Sequence, residues 1–194
     1  MRQNGNPATG SLVESEEVRL LAQVAAGDRL AFEGLFRAYY PRLTRFVGRL
    51  ARSAALIEEI VNDTLLVVWQ KAATFDGSCK VSTWVFAIAY RKALKGLNLS
   101  DDPVDADNTL LEDDSGHQPD QELSRHQLRR TVLDALDELP AAQRVVVALT
   151  YYHDMAYQEI AEIVGCPVNT VKTRMFHARR RLQDTLASEK DQSR

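Results

Sequence analysis

Tyr157–Leu182 reads YQEIAEIVGCPVNTVKTRMFHARRRL. Two short amphipathic runs meet at a glycine. Ahead of it, Ile160, Ala161 and Val164 fall on one face of a helix. Beyond it, Val171 and Met175 recur at a helical step and can pack back on the first run. Gly165 supplies the sharp reversal, and Cys166 follows it. Pro167 fits the first turn of the next helix, where its missing N–H is not needed. The pattern predicts a helix-turn-helix, a unit that lays its second helix in the major groove of DNA.

The residues left facing outward suit that task. Asn169 and Thr170 lie near the helix N-terminus, where backbone N–H groups favour phosphate. Lys172 and Thr173 are the right types for base edges, and Phe176 can meet a thymine methyl. His177 continues the face. Arg174, Arg179, Arg180 and Arg181 surround or extend it. Arginines at a helix C-terminus can also serve its dipole alone. The turn glycine and the two apolar stripes weigh for the phosphate backbone as their target.

Outward from this unit the chain divides by charge. The 194 residues carry a formal charge of -3. Residues 1–99 hold 13 basic and 9 acidic side chains, and residues 123–194 hold 11 and 9. Residues 100–122, SDDPVDADNTLLEDDSGHQPDQE, hold nine acids and no Lys or Arg. That strip has few large apolar residues and two prolines, so it reads as a flexible linker between two mildly basic halves. The acidic pI therefore does not exclude nucleic acid, because the local field decides binding. No run is apolar enough to span a bilayer, no signal peptide is evident, and Cys79 and Cys166 form no disulfide framework. A soluble cytoplasmic protein is expected.

Both halves read as helical. In the first, Ser15 is a candidate N-cap, and Val18, Leu20, Leu21 and Val24 form a stripe that Gly27 stops. Phe32, Leu35, Phe36, Tyr39, Leu43, Phe46, Val47 and Leu50 repeat at three- and four-residue steps. Leu56, Ile60, Val61, Leu65, Val68 and Trp69 do the same. After a DGSCK break comes a helix with Trp84, Ile88 and Leu94 facing inward. A bundle of about four helices results. The second half opens with Leu128, Val132, Leu136 and Leu139 on one face. Pro140 starts the next helix, and a turn follows at Asp154–Met155.

At this point the sequence resembles a known family. EIVNDTLLVVW (Glu59–Trp69), Phe75 and TWVFAIA (Thr83–Ala89) are similar to the signature of the extracytoplasmic function (ECF) sigma factors of bacterial RNA polymerase. LDELPAAQRVVVALTYY (Leu136–Tyr152), followed by YQEIAEIVGCPVNTVKTR, resembles that family's promoter-reading region four. The likeness covers most of residues 17–97 and 123–186.

The resemblance implies an all-α fold of two small helical domains, a region 2 bundle and a region 4 helix-turn-helix, joined by the acidic linker. The expected boundaries are a disordered tail at 1–15, region 2 at 16–98, the linker at 99–122, region 4 at 123–187 and a tail at 188–194. It also implies an alternative sigma factor that binds core polymerase through the β′ clamp helices and the β flap. Such a protein directs the enzyme to promoters and promotes melting. An anti-sigma factor, often membrane-bound in the family, is the expected inhibitor.

On this reading Asn62 and Asp63 stand where the family has Gln-Glu facing the clamp. Gln70 and Lys71 continue that side, and Leu66 and Val67 add apolar contact. Four consecutive apolar residues, Leu65–Val68, cannot all point inward on a helix, so at least one is expected to meet a partner. The loop after Phe75 corresponds to the one that captures a flipped minus-ten base. There Lys80, with Ser78, Ser82 and Thr83, suits a melted strand, and Arg91, Lys92 and Lys95 can track phosphates. Phe75 and Trp84 are either core anchors or stacking surfaces, and Tyr90 is open between the two.

Departures from the pattern are Asn62-Asp63 for Gln-Glu, Arg91 for a common Asn, Asn169 for a common Gly, and His177 for a frequent Arg. A neutral His cannot make the bidentate bond of Arg to guanine, so an unusual minus-thirty-five sequence is expected. No enzyme signature, cofactor motif or metal-ligand spacing is read. Cys166 is a small turn residue or, less in keeping with its setting, a thiol sensor. The acidic strip either helps seat the protein on polymerase or is a solvated spacer. Two rivals remain: a helix-turn-helix regulator that binds duplex DNA without joining polymerase, and an adaptor that reads no DNA.

Overall fold

A computed structural model describes residues 7–97 and 131–192. Every regular element among them is helical. Helix α1, Pro7–Ala25, begins eight residues before Ser15 and runs through it. The expected tail to residue 15 is therefore too long. Proline is well suited to a first helical position, and the helix runs unbroken through Gly10. The chain turns at Gly27, φ +88°, a conformation that glycine adopts freely. Asp28 then caps α2, Arg29–Val47, accepting the N–H groups of Leu30 and Ala31 at 2.8 and 3.2 Å. Ser53 caps α3, Ala54–Lys71, and a short 3-10 turn covers Ala72–Thr74. After the loop comes α4, Val81–Gly96.

These four helices bury most of each stripe read from the sequence, while Val18 is 43% exposed and Leu20, Phe32, Phe36, Leu50, Leu56 and Trp69 are partly buried. Leu21, Val24, Leu35, Tyr39, Leu43, Phe46, Val47, Ile60, Val61, Leu65 and Val68 are all inside. Phe75 and Trp84 are partly buried, packed on the core, with ring centroids 5.6 Å apart. That supports the anchoring role for both. Helix α4 departs from its expected stripe. Val85, Phe86, Ala87, Ile88 and Ala89 are buried in succession, while Trp84 and Leu94 are only half-buried. A helix buried on all sides must be covered from more than one direction.

The second cover is the other half of the chain. A helix at 131–137 (α5) is followed by α6, Ala141–Tyr152. The Arg144 guanidinium donates to the carbonyls of Asp137 and Leu139 at 2.9 and 3.0 Å, satisfying the end of α5. Asp154 takes the turn at φ +51° and Met155 is buried behind it. Helix α7, Tyr157–Val164, packs between α4 on one side and α6 and α8 on the other. Its buried residues are Ile160, Ala161 and Ile163, with Val164 only half-buried. The expected face named Val164 instead, because it assumed contact on one side. Gly165 closes α7 at φ +67°, and α8 runs unbroken from Val168 to Gln192. The second helix is thus long, and it passes the expected boundary at 187.

The two helical units share one continuous core. At their junction the His153 ring lies 4.7 Å from Phe86 and 6.0 Å from Phe46, centroid to centroid. Arg144 reaches across to the carbonyl of Arg49 at 3.4 Å. The acidic strip 99–122 and Leu128 lie outside the described residues.

Candidate nucleic-acid interface

The start of α8 is an exposed, cation-rich surface on a buried base. Val171, Met175 and Ala178 are buried at three- and four-residue steps and fix the helix against α6 and α7. The same periodicity turns Asn169, Lys172, Thr173, Phe176, His177, Arg179 and Arg180 to solvent. Thr170 and Arg174 are half-buried at the edge of the face. Phe176 is 63% exposed, with its ring 5.5 Å from that of His177 in an edge-on contact. An aromatic left in water on a polar face has no folding role to explain it. Arg179 is oriented by the hydroxyl of Tyr151 at 3.0 Å. Arg174 reaches Cys166 Sγ at 3.8 Å. Thr173 donates to the carbonyl of Asn169 at 3.0 Å, so its hydroxyl is partly occupied within the helix.

A second exposed surface lies on α3. Asn62, Leu66, Gln70 and Lys71 are exposed, and Asp63 and Val67 are half-buried. Of the four consecutive apolar residues, Leu65 and Val68 are in the core while Leu66 is 51% exposed. The unpartnered position foreseen from the run is therefore Leu66.

The chain matches the family model "Sigma-70 region 2" over residues 35–98 and "Sigma-70, region 4" over residues 129–182. It is 32% identical over 162 residues to the ECF RNA polymerase sigma factor RpoE of Cereibacter sphaeroides, covering 82% of this chain and 88% of that one. The chain belongs to the ECF sigma factors. Solved structures agree. CnrH, in complex with the cytosolic domain of CnrY, shares the fold, with TM-score 0.67 at 23% identity, over 89% of this chain and 98% of that one. RpoE of Bartonella quintana, bound to the anti-sigma factor NepR, gives 0.59 at 26%, over 80% and 96%. This is therefore an alternative sigma factor, a protein that directs RNA polymerase to promoters.

In this sigma factor the residues assigned to the minus-ten strand are not equally free. Ser78, Lys80, Arg91 and Lys95 are exposed, and Ser82 and Lys92 are half-buried. Asp76 accepts the N–H of Ser78 at 2.9 Å and shapes the loop, and hydrogen bonding from the Ser78 side chain, then from that N–H, holds the Asp76 carboxyl below its usual range. Thr83 is buried. Its hydroxyl faces Glu159 Oε1 at 3.5 Å, and Lys80 Nζ lies 3.1 Å from the same oxygen. The hydrogen bond to Glu159 raises the Lys80 ammonium above its ordinary value. Lys92 pairs with Asp63 at 2.9 Å, which ties the minus-ten assignment to the α3 surface.

Sequence reasoning missed four residues. Asp28 as a cap was legible, since it directly precedes an apolar run. Arg144, His153 and Glu159 were not, because each takes its meaning from a partner far along the chain. The closest hint was TWVFAIA itself: six apolar residues in succession on a helix already announce cover on a second side.

Proposed function

We propose that α3 docks on core RNA polymerase, that the loop and helix from Ser78 to Lys95 contact the melted minus-ten strand, and that α8 reads the minus-thirty-five element as duplex. The domains on this reading are region 2, from α1 to residue 98, and region 4, from residue 123 to the end of α8. One observation supports it above the rest: a single chain of this family leaves an apolar Leu66 on α3 and a cationic α8 face in solvent at once. A duplex-binding regulator has no use for the first, and an adaptor has none for the second.

The contacts follow from chemistry. Leu66 and Val67 would bury against the clamp helices, while Asn62, Asp63, Gln70 and Lys71 form a polar rim. Lys80, Ser78, Ser82 and Thr83 offer donors to an extruded base and its phosphates, with Arg91, Lys92 and Lys95 tracking the backbone. On α8, Lys172, Thr173, Asn169, Phe176 and His177 face base edges, and Thr170, Arg174, Arg179 and Arg180 set the register on phosphates. With His177 in place of an arginine, the preferred element departs from the family's usual one.

The protein itself catalyses no reaction on this account, and it acts where the polymerase is, in the cytoplasm. No described helix is long and apolar enough to cross a membrane. An anti-sigma factor is its expected inhibitor, as NepR is the partner of the Bartonella relative.

The test is transcription with purified core polymerase on promoters selected from a random library. The full chain should associate with core and yield discrete start sites. Leu66→Arg should abolish association while leaving stability within about 0.5 kcal/mol, as expected for an exposed position. Failure of the wild-type chain to bind core or to start transcription anywhere would overturn the reading.

A further inference from the structure

Glu159 faces two ways. Its Oε2 accepts the N–H of Ala156 at 2.7 Å and closes the first turn of α7. Its Oε1 faces Lys80 Nζ and the Thr83 hydroxyl on the other side of the domain junction. Both partners belong to the set proposed above for the melted strand. A carboxylate of region 4 thus takes the donors that the strand would need, and Thr83, at 1% exposure, is out of reach of any other molecule. The contact has depth. His153 is wedged on Phe86 and Phe46, Arg144 holds the carbonyl of Arg49, and α4 is apolar and buried from Val85 to Ala89. Two modules sharing nothing but a tether would leave one side of α4 in water.

We propose that α7, the first helix of the helix-turn-helix, is a built-in competitor for the minus-ten strand: in the polymerase-free protein Glu159 holds Lys80 and Thr83, and single-stranded DNA reaches them when α7 leaves α4. The proposal rests on the assignment of Lys80 and Thr83 to that strand. The physical logic is one of matched chemistry. Nucleic acid offers acceptors on an anionic backbone, and a carboxylate offers the same to an ammonium and a hydroxyl. Being on the same chain, it competes at a high effective concentration. A half-exposed ion pair contributes little alone. Closure therefore rests on the apolar packing of α4, α7 and His153, and Glu159 supplies the match at the DNA-binding groups. Opening exposes that apolar surface and leaves the Thr83 hydroxyl and the carboxylate to water, so a closed free state is favoured.

The experiment uses the full-length protein and a fluorescein-labelled single-stranded oligonucleotide of mixed sequence, with binding read by anisotropy and dimensions by small-angle scattering. Glu159→Gln keeps an acceptor for the Ala156 N–H, so the helix start is retained while the charge is lost. His153→Ala loosens the junction at a separate point. Each variant should bind the strand at least about threefold tighter than the wild type, the gain expected when the competent fraction rises. His153→Ala should also show a larger radius of gyration, and Lys80→Ala should remove the gain in the Glu159→Gln background. If neither variant binds tighter, while Lys80→Ala weakens binding by the wild type, the strand assignment stands and the competitor is refuted. If Lys80→Ala changes binding in neither background, the assignment fails and the competitor falls with it.

Discussion

At the scale of single residues, two positions separate backbone strain from recognition. Gly165 sits at φ +67° with open space where a Cβ would project. Gly165→Ala therefore meets no clash, and its cost is the left-handed backbone alone, about 1–2 kcal/mol. Chemical denaturation should show a loss of that size. Lys172 is the complementary case, exposed and without a folding duty among the described contacts. Lys172→Ala should leave stability unchanged and weaken binding to a selected minus-thirty-five duplex. A base contact would cost about 1–3 kcal/mol and relax the preference at one position. A phosphate contact would weaken all sequences alike and reduce the salt slope by about one. Anisotropy titrations at several salt concentrations distinguish the two. Residue identity made Lys172 and Gly165 legible from sequence, because a turn glycine and a free cation on a periodic helix each carry their own physical reason.

At the scale of elements, the helices were foreseen where capping and periodicity are local, and their ends were misjudged where they depend on context. Asp28 is the clearest cap. Asp28→Ala removes the acceptor for two N–H groups of α2 and should cost about 1 kcal/mol, measurable as a lower midpoint of urea unfolding. Asp28→Asn should recover most of it. The start of α1 at Pro7 and the run of α8 to Gln192 were underestimated, since small and polar residues there give no periodic apolar signal. Helix α7 shows the reverse limit. Its sequence permits Val164 or Ile163 as the buried edge, and the choice of Ile163 is made by neighbours on two sides.

At the scale of the whole molecule, His153 makes the junction between the units sensitive to acid. Burial, together with the nearby Arg42 and Arg45 charges, depresses its imidazole from 6.5 to about 4. The depressed value means that the neutral ring is the one the folded junction accepts. Stability from this group is complete above pH 6.5, where the ring is neutral in both folded and unfolded chains. It declines as pH falls from 6.5 toward 4, because the unfolded chain takes up the proton and the folded one resists it. Urea midpoints should therefore drop between pH 7 and pH 5, and His153→Phe should flatten that part of the profile. An unchanged pH profile in the variant would show that other groups set the acid response.

The sequence alone determined the helical class, the helix-turn-helix, the outward face of α8 and the family, since all of these follow from periodicity, capping and motif spacing within short stretches. The tertiary structure alone decided that α7 lies on α4, that Thr83 is covered, and that Lys80 is held by Glu159. The physical reason is separation along the chain. A carboxylate at position 159 and an ammonium at position 80 have no local signal of each other, and folding brings them within 3.1 Å.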